Sequence, residues 1–151
     1  MELKQLNVLL ADDDIDDCNF FKKALIELPL PTLLTTVHDG EELMEILRRD
    51  TDELPHVIFL DINMPRKNGF ECLAEVKLSK RLKQLPVIVF STSFEQEVVN
   101  LLYKNGAQYF IRKPSDFSQF KQIIEHTLLL IMKEKLSQPS REDFVLTVKT
   151  A

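Results

Sequence analysis

The sequence predicts an α/β domain with a doubly wound, five-stranded parallel sheet and helices on both faces. Five short apolar runs, mostly rich in Val, Ile, Leu or Phe, suit strands that are buried on both sides. They alternate with five longer segments whose apolar residues recur at helical spacing. A strand followed by a helix, five times over, is typical of right-handed crossovers between parallel strands.

The predicted elements follow this alternation in order along the chain. Asp14 is placed to cap the first helix, Asp16 and Asp17 lie in its first turn, and Gly106 stands where the fourth helix should end. The predicted strands are 6–11, 33–37, 57–60, 87–90 and 109–111, and the predicted helices are 15–28, 41–49, 70–79, 95–105 and 116–136.

Length and charge limit the classes of function. The 151 residues suggest one domain, 5–136, with a short C-terminal tail, 137–151, that is too small for an effector domain. Lys and Arg total 19 against 24 Asp and Glu, so we expect no nucleic-acid binding. No segment is typical of a signal peptide or membrane span, and we expect a cytoplasmic protein. Cys18 and Cys72 are interpreted as buried thiols.

Polar side chains follow the apolar runs, and in a parallel sheet these carboxyl ends meet at one crevice. Asp12 and Asp13 follow the first strand, and Asp61 follows the third, which a doubly wound sheet places beside the first. Such acids suit a hard cation, with Asp13 and Asp61 as direct ligands and Asp12 acting through water. The backbone carbonyl of Asn63 is a further candidate ligand.

A lysine and a serine complete the predicted pocket. Lys113, fixed by the following Pro114, is expected to pair with Asp61 at rest and with a phosphoryl oxygen later. Ser91 ends the fourth strand and is expected to donate its hydroxyl to the same phosphoryl group. The three glycines build neither a dinucleotide-binding nor a P-loop motif.

These residues together resemble the receiver domain of two-component response regulators, over roughly residues 5 to 136. The resemblance is carried by the pair Asp12-Asp13, the segment 60–65 (Leu-Asp-Ile-Asn-Met-Pro) with Gly69, the step Ser91-Thr92, and Lys113-Pro114. It implies a flavodoxin-like fold with strand order 2-1-3-4-5. It further implies a stand-alone, single-domain regulator in a two-component or phosphorelay pathway that signals through protein–protein contacts.

The resemblance also implies residue roles. Asp61 would accept a phosphoryl group from the phosphohistidine of a sensor histidine kinase or phosphotransfer protein. Mg²⁺, or Mn²⁺, would be held by Asp13, Asp61 and the Asn63 carbonyl, while Ser91 and Lys113 would contact the phosphoryl oxygens. The family usually has an aromatic residue three positions before the lysine. Here it is Phe110, which would reorient as Ser91 moves, although it lacks the hydroxyl often found there.

Two further positions border the path of water to the acyl phosphate. Asn63 lies two residues beyond Asp61, and Ser93 lies two residues beyond Ser91. We expect this pair to set the lifetime of the phosphorylated form. The domain would assist its own phosphorylation and dephosphorylation rather than act as an enzyme on a separate substrate.

The fifth helix has more apolar residues than one core-facing stripe requires. This excess suggests a homodimer through the fourth helix, fifth strand and fifth helix, or else a helix covered by the tail. In the tail, Phe144, Leu146 and Val148 alternate with other residues, a pattern that predicts either a strand added to a sheet edge, in cis or in trans, or a frayed terminus. We expect His38, His56 and His126 to be structural or solvent-facing.

Two other classes of protein fit part of the pattern. A haloacid-dehalogenase-like phosphohydrolase also uses a strand-end Asp with Mg²⁺, but it needs a second Asp where this chain has Asn63, and a substrate-covering cap. A receiver-shaped interaction module without phosphorylation would not need the full set of acids, hydroxyl and lysine. The sequence does not indicate the kinase, the stimulus, the downstream target, or whether the domain acts within a relay or at its end.

Overall fold

The computed structural model describes residues 5–49, 53–133 and 138–148. These ranges contain six strands, five α-helices and a 3₁₀ turn at Arg141–Asp143. The strands are β1 (Leu6–Ala11), β2 (Thr32–Val37), β3 (Val57–Leu60), β4 (Val87–Ser91), β5 (Tyr109–Arg112) and β6 (Val145–Leu146). The helices are α1 (Ile15–Glu27), α2 (Gly40–Arg48), α3 (Gly69–Leu78), α4 (Gln96–Lys104) and α5 (Phe117–Lys133).

The strands form one parallel sheet with the order β2-β1-β3-β4-β5-β6. The predicted order 2-1-3-4-5 is confirmed, but the prediction of five strands was short by one. Val145 and Leu146 pair with Phe110 and Ile111 at the edge of β5. The apolar tail residues therefore add a strand in cis, where pairing satisfies backbone groups that an edge strand leaves open.

Alternate side chains of the buried strands build a core on each face of the sheet. In β1, Leu6, Val8 and Leu10 pack on the face that α1 and α5 cover, while Leu9 and Ala11 pack on the face of α2, α3 and α4. Edge-to-face aromatic contacts join α1, β3, β4 and α5 in the first core, through Phe20, Phe21, Phe59, Phe90, Phe117 and Phe120.

The helix ends follow the predicted capping residues. Asp14 accepts a hydrogen bond from the Asp17 amide at 3.1 Å and so caps α1. Gly106 has a φ of 97°, a conformation that ends α4 and that glycine adopts without strain. Helix α5 is described as far as Lys133, and the remaining predicted helical residues, with the predicted domain boundary at residue 136, lie outside the described residues.

The described tail lies against α4 and β5. Phe144 is completely buried and contacts Tyr103 edge-to-face, with ring centroids 5.1 Å apart. The Tyr103 hydroxyl donates to the Pro139 carbonyl at 2.8 Å. Leu146 and Val148 pack against the core under α5, but Leu129 and Met132 of that helix stay exposed. The tail thus covers part, though not all, of the apolar excess.

Candidate functional site

Three carboxylates meet where β1 and β3 end. The two strands are neighbours, with Ala11 opposite Leu60, so the next residues, Asp12 and Asp61, emerge side by side. Oxygen atoms of Asp12, Asp13 and Asp61 all lie within 4.8 Å of one another. Asp12 is fully buried and Asp61 is 7% exposed, whereas Asp13 is open to solvent. The structure therefore brings together the three acids that the sequence predicted as cation ligands.

The surroundings of Asp61 penalise its charge. Burial, together with the nearby negative charge of Asp12, raises the pKa of Asp61 from 3.8 to about 7, although Lys113 and the Asn63 amide act in the opposite direction. The Asn63 N–H donates to Asp61 Oδ1 at 3.2 Å. A cation beside Asp61 would stabilise its ionised form, which burial and the charge of Asp12 disfavour.

Lys113 forms the predicted ion pair with Asp61, but two other carboxylates lie closer to its ammonium. Its ammonium donates to Asp12 Oδ2 and to Asp17 Oδ2, each at 2.8 Å, while Asp61 Oδ2 lies at 3.9 Å, beyond hydrogen-bonding distance. The expected pairing with Asp61 is therefore only a longer-range ion pair. The ammonium lies closer to Asp12 and Asp17 because the first turn of α1 brings the Asp17 carboxylate within hydrogen-bonding distance of it.

The sequence did not predict that Asp17 binds Lys113. Its place in the first turn of α1 had an adequate explanation in the helix dipole.

The pKa of Lys113 shows how strongly its ammonium is held. Burial lowers the pKa of Lys113, but hydrogen bonds to Asp12 and Asp17 and the charge of Asp61 outweigh burial, and the net shift is upward. The side chain is 7% exposed, and its ammonium also lies 4.9 Å from the centre of the Phe90 ring.

The predicted serine lies at the same edge of the sheet. Ser91 is the last residue of β4 and is 1% exposed, and its carbonyl accepts from the Lys113 amide at 2.7 Å. Its Oγ lies 3.2 Å from Ser93 Oγ and also accepts from the Ser93 amide at 3.2 Å. The hydroxyl thus has a partner at rest, and Ser93 itself stays exposed.

The predicted switch residue, Phe110, is buried in the core on the face of α2, α3 and α4. It contacts Phe94 edge-to-face at 5.8 Å between centroids. Its amide donates to the Phe144 carbonyl at 3.0 Å. The aromatic position therefore has a direct backbone link to the tail, which the sequence pattern did not reveal.

The cysteines and histidines are not members of the cluster of three carboxylates. The cysteines are free buried thiols, and burial raises the pKa of Cys18 to about 11, with Asp12 and Asp17 adding to the effect. The exposed His38 contacts the Asp12 backbone carbonyl through Nδ1 at 3.2 Å, and His56 accepts from the Asn7 amide at 2.8 Å. No helix in the described parts of the chain combines the length and apolar character that crossing a membrane requires.

Known proteins are similar to this chain in sequence. The family model of the response regulator receiver domain matches residues 8–125. The probable C4-dicarboxylate response regulator DctR of Bacillus subtilis is 32% identical over 127 residues, which are 83% of this chain but only 53% of that protein. The response regulator Rcp1 of Synechocystis sp. is 27% identical over 78% of this chain and 83% of its own length.

Solved structures agree with these sequence matches. The phosphorylated cyanobacterial phytochrome response regulator RcpA is 31% identical, with a TM-score of 0.79 over 90% of this chain and 99% of that one. The Mn²⁺-bound form of Rcp1 is 25% identical, with a TM-score of 0.75 over 89% and 99% of the two chains.

Proposed function

Because the chain belongs to the response regulator receiver domain family, we propose that Asp61 is its phosphoacceptor, taking a phosphoryl group from a histidine kinase or phosphotransfer protein. The family is a phosphoacceptor signalling module of two-component systems. The supporting observation is that Asp61, buried at a strand end, shares one crevice with two acids, a lysine and a serine.

The acidic cluster suits the family's divalent cation. Receiver domains bind Mg²⁺ or Mn²⁺ at an acidic pocket, and the structurally similar Rcp1 has been solved in an Mn²⁺-bound form. The close approach of three carboxylates favours a cation here, because the cation offsets their mutual repulsion. Asp13 and Asp61 would hold it directly with the Asn63 carbonyl. Asp12, whose oxygens already accept from Lys113 and the Asp14 amide, would act through water. The cation would neutralise charge on the transferring phosphoryl group.

The chemistry is a phosphoryl transfer in which position matters more than covalent assistance. An oxygen of Asp61 forms a bond to phosphorus while the phosphorus–nitrogen bond of the donor phosphohistidine breaks. The imidazole leaves with the electron pair and regains a proton. Lys113, whose ammonium lies 3.9 Å from Asp61 Oδ2 at rest, and Ser91 then contact the phosphoryl oxygens, and for this the Ser91 hydroxyl must turn away from Ser93.

Ser91 and Phe110 form the proposed switch. Movement of the Ser91 hydroxyl toward the phosphoryl group alters the ends of β4 and β5, where Phe110 is buried. The phosphoryl group, with about −1.5 to −2 charges, supplies the driving force. The output is a changed protein-binding surface along α4, β5 and α5.

The test is stoichiometric labelling by a small acyl phosphate with Mg²⁺, followed by intact mass measurement. We expect one phosphoryl group on the wild type and none on Asp61→Asn, while Asp16→Asn, an exposed neighbour of the cluster, labels normally. Steady turnover of a phosphate ester would instead indicate a phosphohydrolase. Full labelling of Asp61→Asn would refute the assignment.

Asn63 and Ser93 are proposed to set the lifetime of the phosphorylated form. Both are exposed and lie two residues beyond Asp61 and Ser91, at the solvent side of the site. Exchanging both side chains should change the decay rate of the labelled protein, measured by loss of the added mass. An unchanged rate would contradict this role.

A homodimer through α4, β5 and α5 remains part of the proposal in a restricted form. The edge of β5 pairs with β6, so the contact would use exposed apolar side chains of the helices, such as Leu101, Leu129 and Met132. Analytical ultracentrifugation with and without beryllofluoride, which mimics a phosphoryl group, tests for the dimer. Monomers at high concentration under both conditions would contradict it.

A further inference from the structure

We propose that Asp17 is a positioning residue that competes with the phosphoryl group for Lys113 and so weakens the phosphorylated state. This inference rests on the proposed function, because it needs Lys113 to contact a group attached to Asp61. It concerns a carboxylate that the phosphoacceptor mechanism does not otherwise use.

The ammonium of Lys113 has few free donors. Two of its three N–H groups are taken by Asp12 and Asp17 at 2.8 Å each, and the aromatic face of Phe90 lies 4.9 Å away. The nearest oxygen of Asp61 is 3.9 Å distant. A close hydrogen bond to a phosphoryl oxygen on Asp61 would draw the ammonium away from the two aspartates that hold it at rest, so these resting contacts oppose it.

The two resting partners differ in how easily they release the lysine. Asp12 is fully buried, so leaving its carboxylate without the ammonium would cost a large desolvation penalty. The side chain of Asp17 is 33% exposed, and water can replace the lysine there. Asp17 is thus the partner that gives up Lys113 when the phosphoryl group arrives.

The backbone fixes Asp17 in this position. Its amide donates to the Asp14 side chain in the N-terminal cap of α1, which anchors the turn that presents the carboxylate. Asp16 belongs to the same turn and has the same charge, but it is exposed and makes no ion pair with Lys113 in the described structure. The chain therefore supplies its own matched control.

The probe is beryllofluoride, a noncovalent phosphoryl mimic, titrated with saturating Mg²⁺ and followed by NMR. We expect Asp17→Asn to bind about fivefold more tightly than Asp16→Asn, the size expected for a partly exposed charged hydrogen bond. Asp17→Glu, which keeps the carboxylate, should return the affinity toward the wild-type value. In a Lys113→Gln background, the difference between Asp17→Asn and Asp16→Asn should disappear.

The outcomes separate the inference from the function beneath it. If wild type binds beryllofluoride in an Asp61-dependent way but Asp17→Asn and Asp16→Asn bind equally, the role of Asp17 is refuted and the phosphoacceptor assignment stands. If the Asp17 difference persists without Lys113, general charge rather than competition is responsible, which also refutes that role. If wild type fails to bind, both proposals fall. Thermal unfolding of each variant without metal confirms that it folds.

Discussion

Replacing Asp61 by Asn should make the metal-free protein more stable, and increasingly so as the pH rises. Burial is the main cause of the rise in the pKa of Asp61 from 3.8 to about 7. Between these values the folded chain holds a proton that the unfolded chain has lost, so the stability attributable to Asp61 falls as the pH rises. Above about pH 7 both states are ionised, and the loss is complete.

The size of this change in the free energy of unfolding follows from the shift in the pKa of Asp61. One pKa unit corresponds to about 1.36 kcal/mol, so the whole shift is equivalent to roughly 4 kcal/mol at pH 8. About 3 kcal/mol of that should develop between pH 5 and pH 8. Asn keeps the shape of the side chain but has no charge to desolvate.

Urea denaturation with a metal chelator, at pH 5 and pH 8, measures the difference in free energy of unfolding between Asp61→Asn and wild type. Asp16→Asn serves as the control, since its side chain is exposed in both states. Added Mg²⁺ should raise the stability of the wild type and leave Asp61→Asn almost unchanged. A difference between Asp61→Asn and wild type that stays constant from pH 5 to pH 8 would refute the reasoning from burial.

Three other predictions concern the metal, a glycine and the tail. Mg²⁺ affinity, measured by calorimetry, should fall by nearly tenfold per pH unit below about pH 7, because the cation must displace the proton of Asp61; an affinity independent of pH would contradict this. Gly69→Ala should slow labelling by a small acyl phosphate, because the new Cβ would lie 2.6 Å from the Asp61 carbonyl oxygen; unchanged labelling would show that the turn yields freely. Phe144→Ala should lower the free energy of unfolding by about 3–5 kcal/mol, since the ring is completely buried; a loss below about 1 kcal/mol would show that the tail is not part of the core.

The sequence was enough to place the acids, the serine and the lysine in one crevice. Parallel strands end at the same edge of a sheet, so Asp12, Asp61, Ser91 and Lys113 could be assigned to it from the apolar runs alone. Local rules also located the ends of helices, because Asp14 and Gly106 act through their own neighbouring backbone.

Contacts between distant residues could not be predicted in this way. The hydrogen bond of Lys113 to Asp17 spans 96 positions and depends on how α1 lies against β5. The direction and register of β6 could not be predicted either. A two-residue strand contains too little sequence pattern to distinguish pairing in cis, pairing in trans and a frayed terminus. Burial of Phe144 follows from that pairing and from the contact with Tyr103.

We expect the sixth strand to limit aggregation of the protein. By pairing with β5, Val145 and Leu146 occupy a strand edge whose free amides and carbonyls would otherwise be a template for intermolecular aggregation. A chain cut after α5 would present that edge, together with the apolar surface that Phe144 covers, to every other copy in solution. Proteolysis or truncation of the last residues should therefore shorten the shelf life of concentrated samples before it alters the chemistry at the carboxyl ends of the strands.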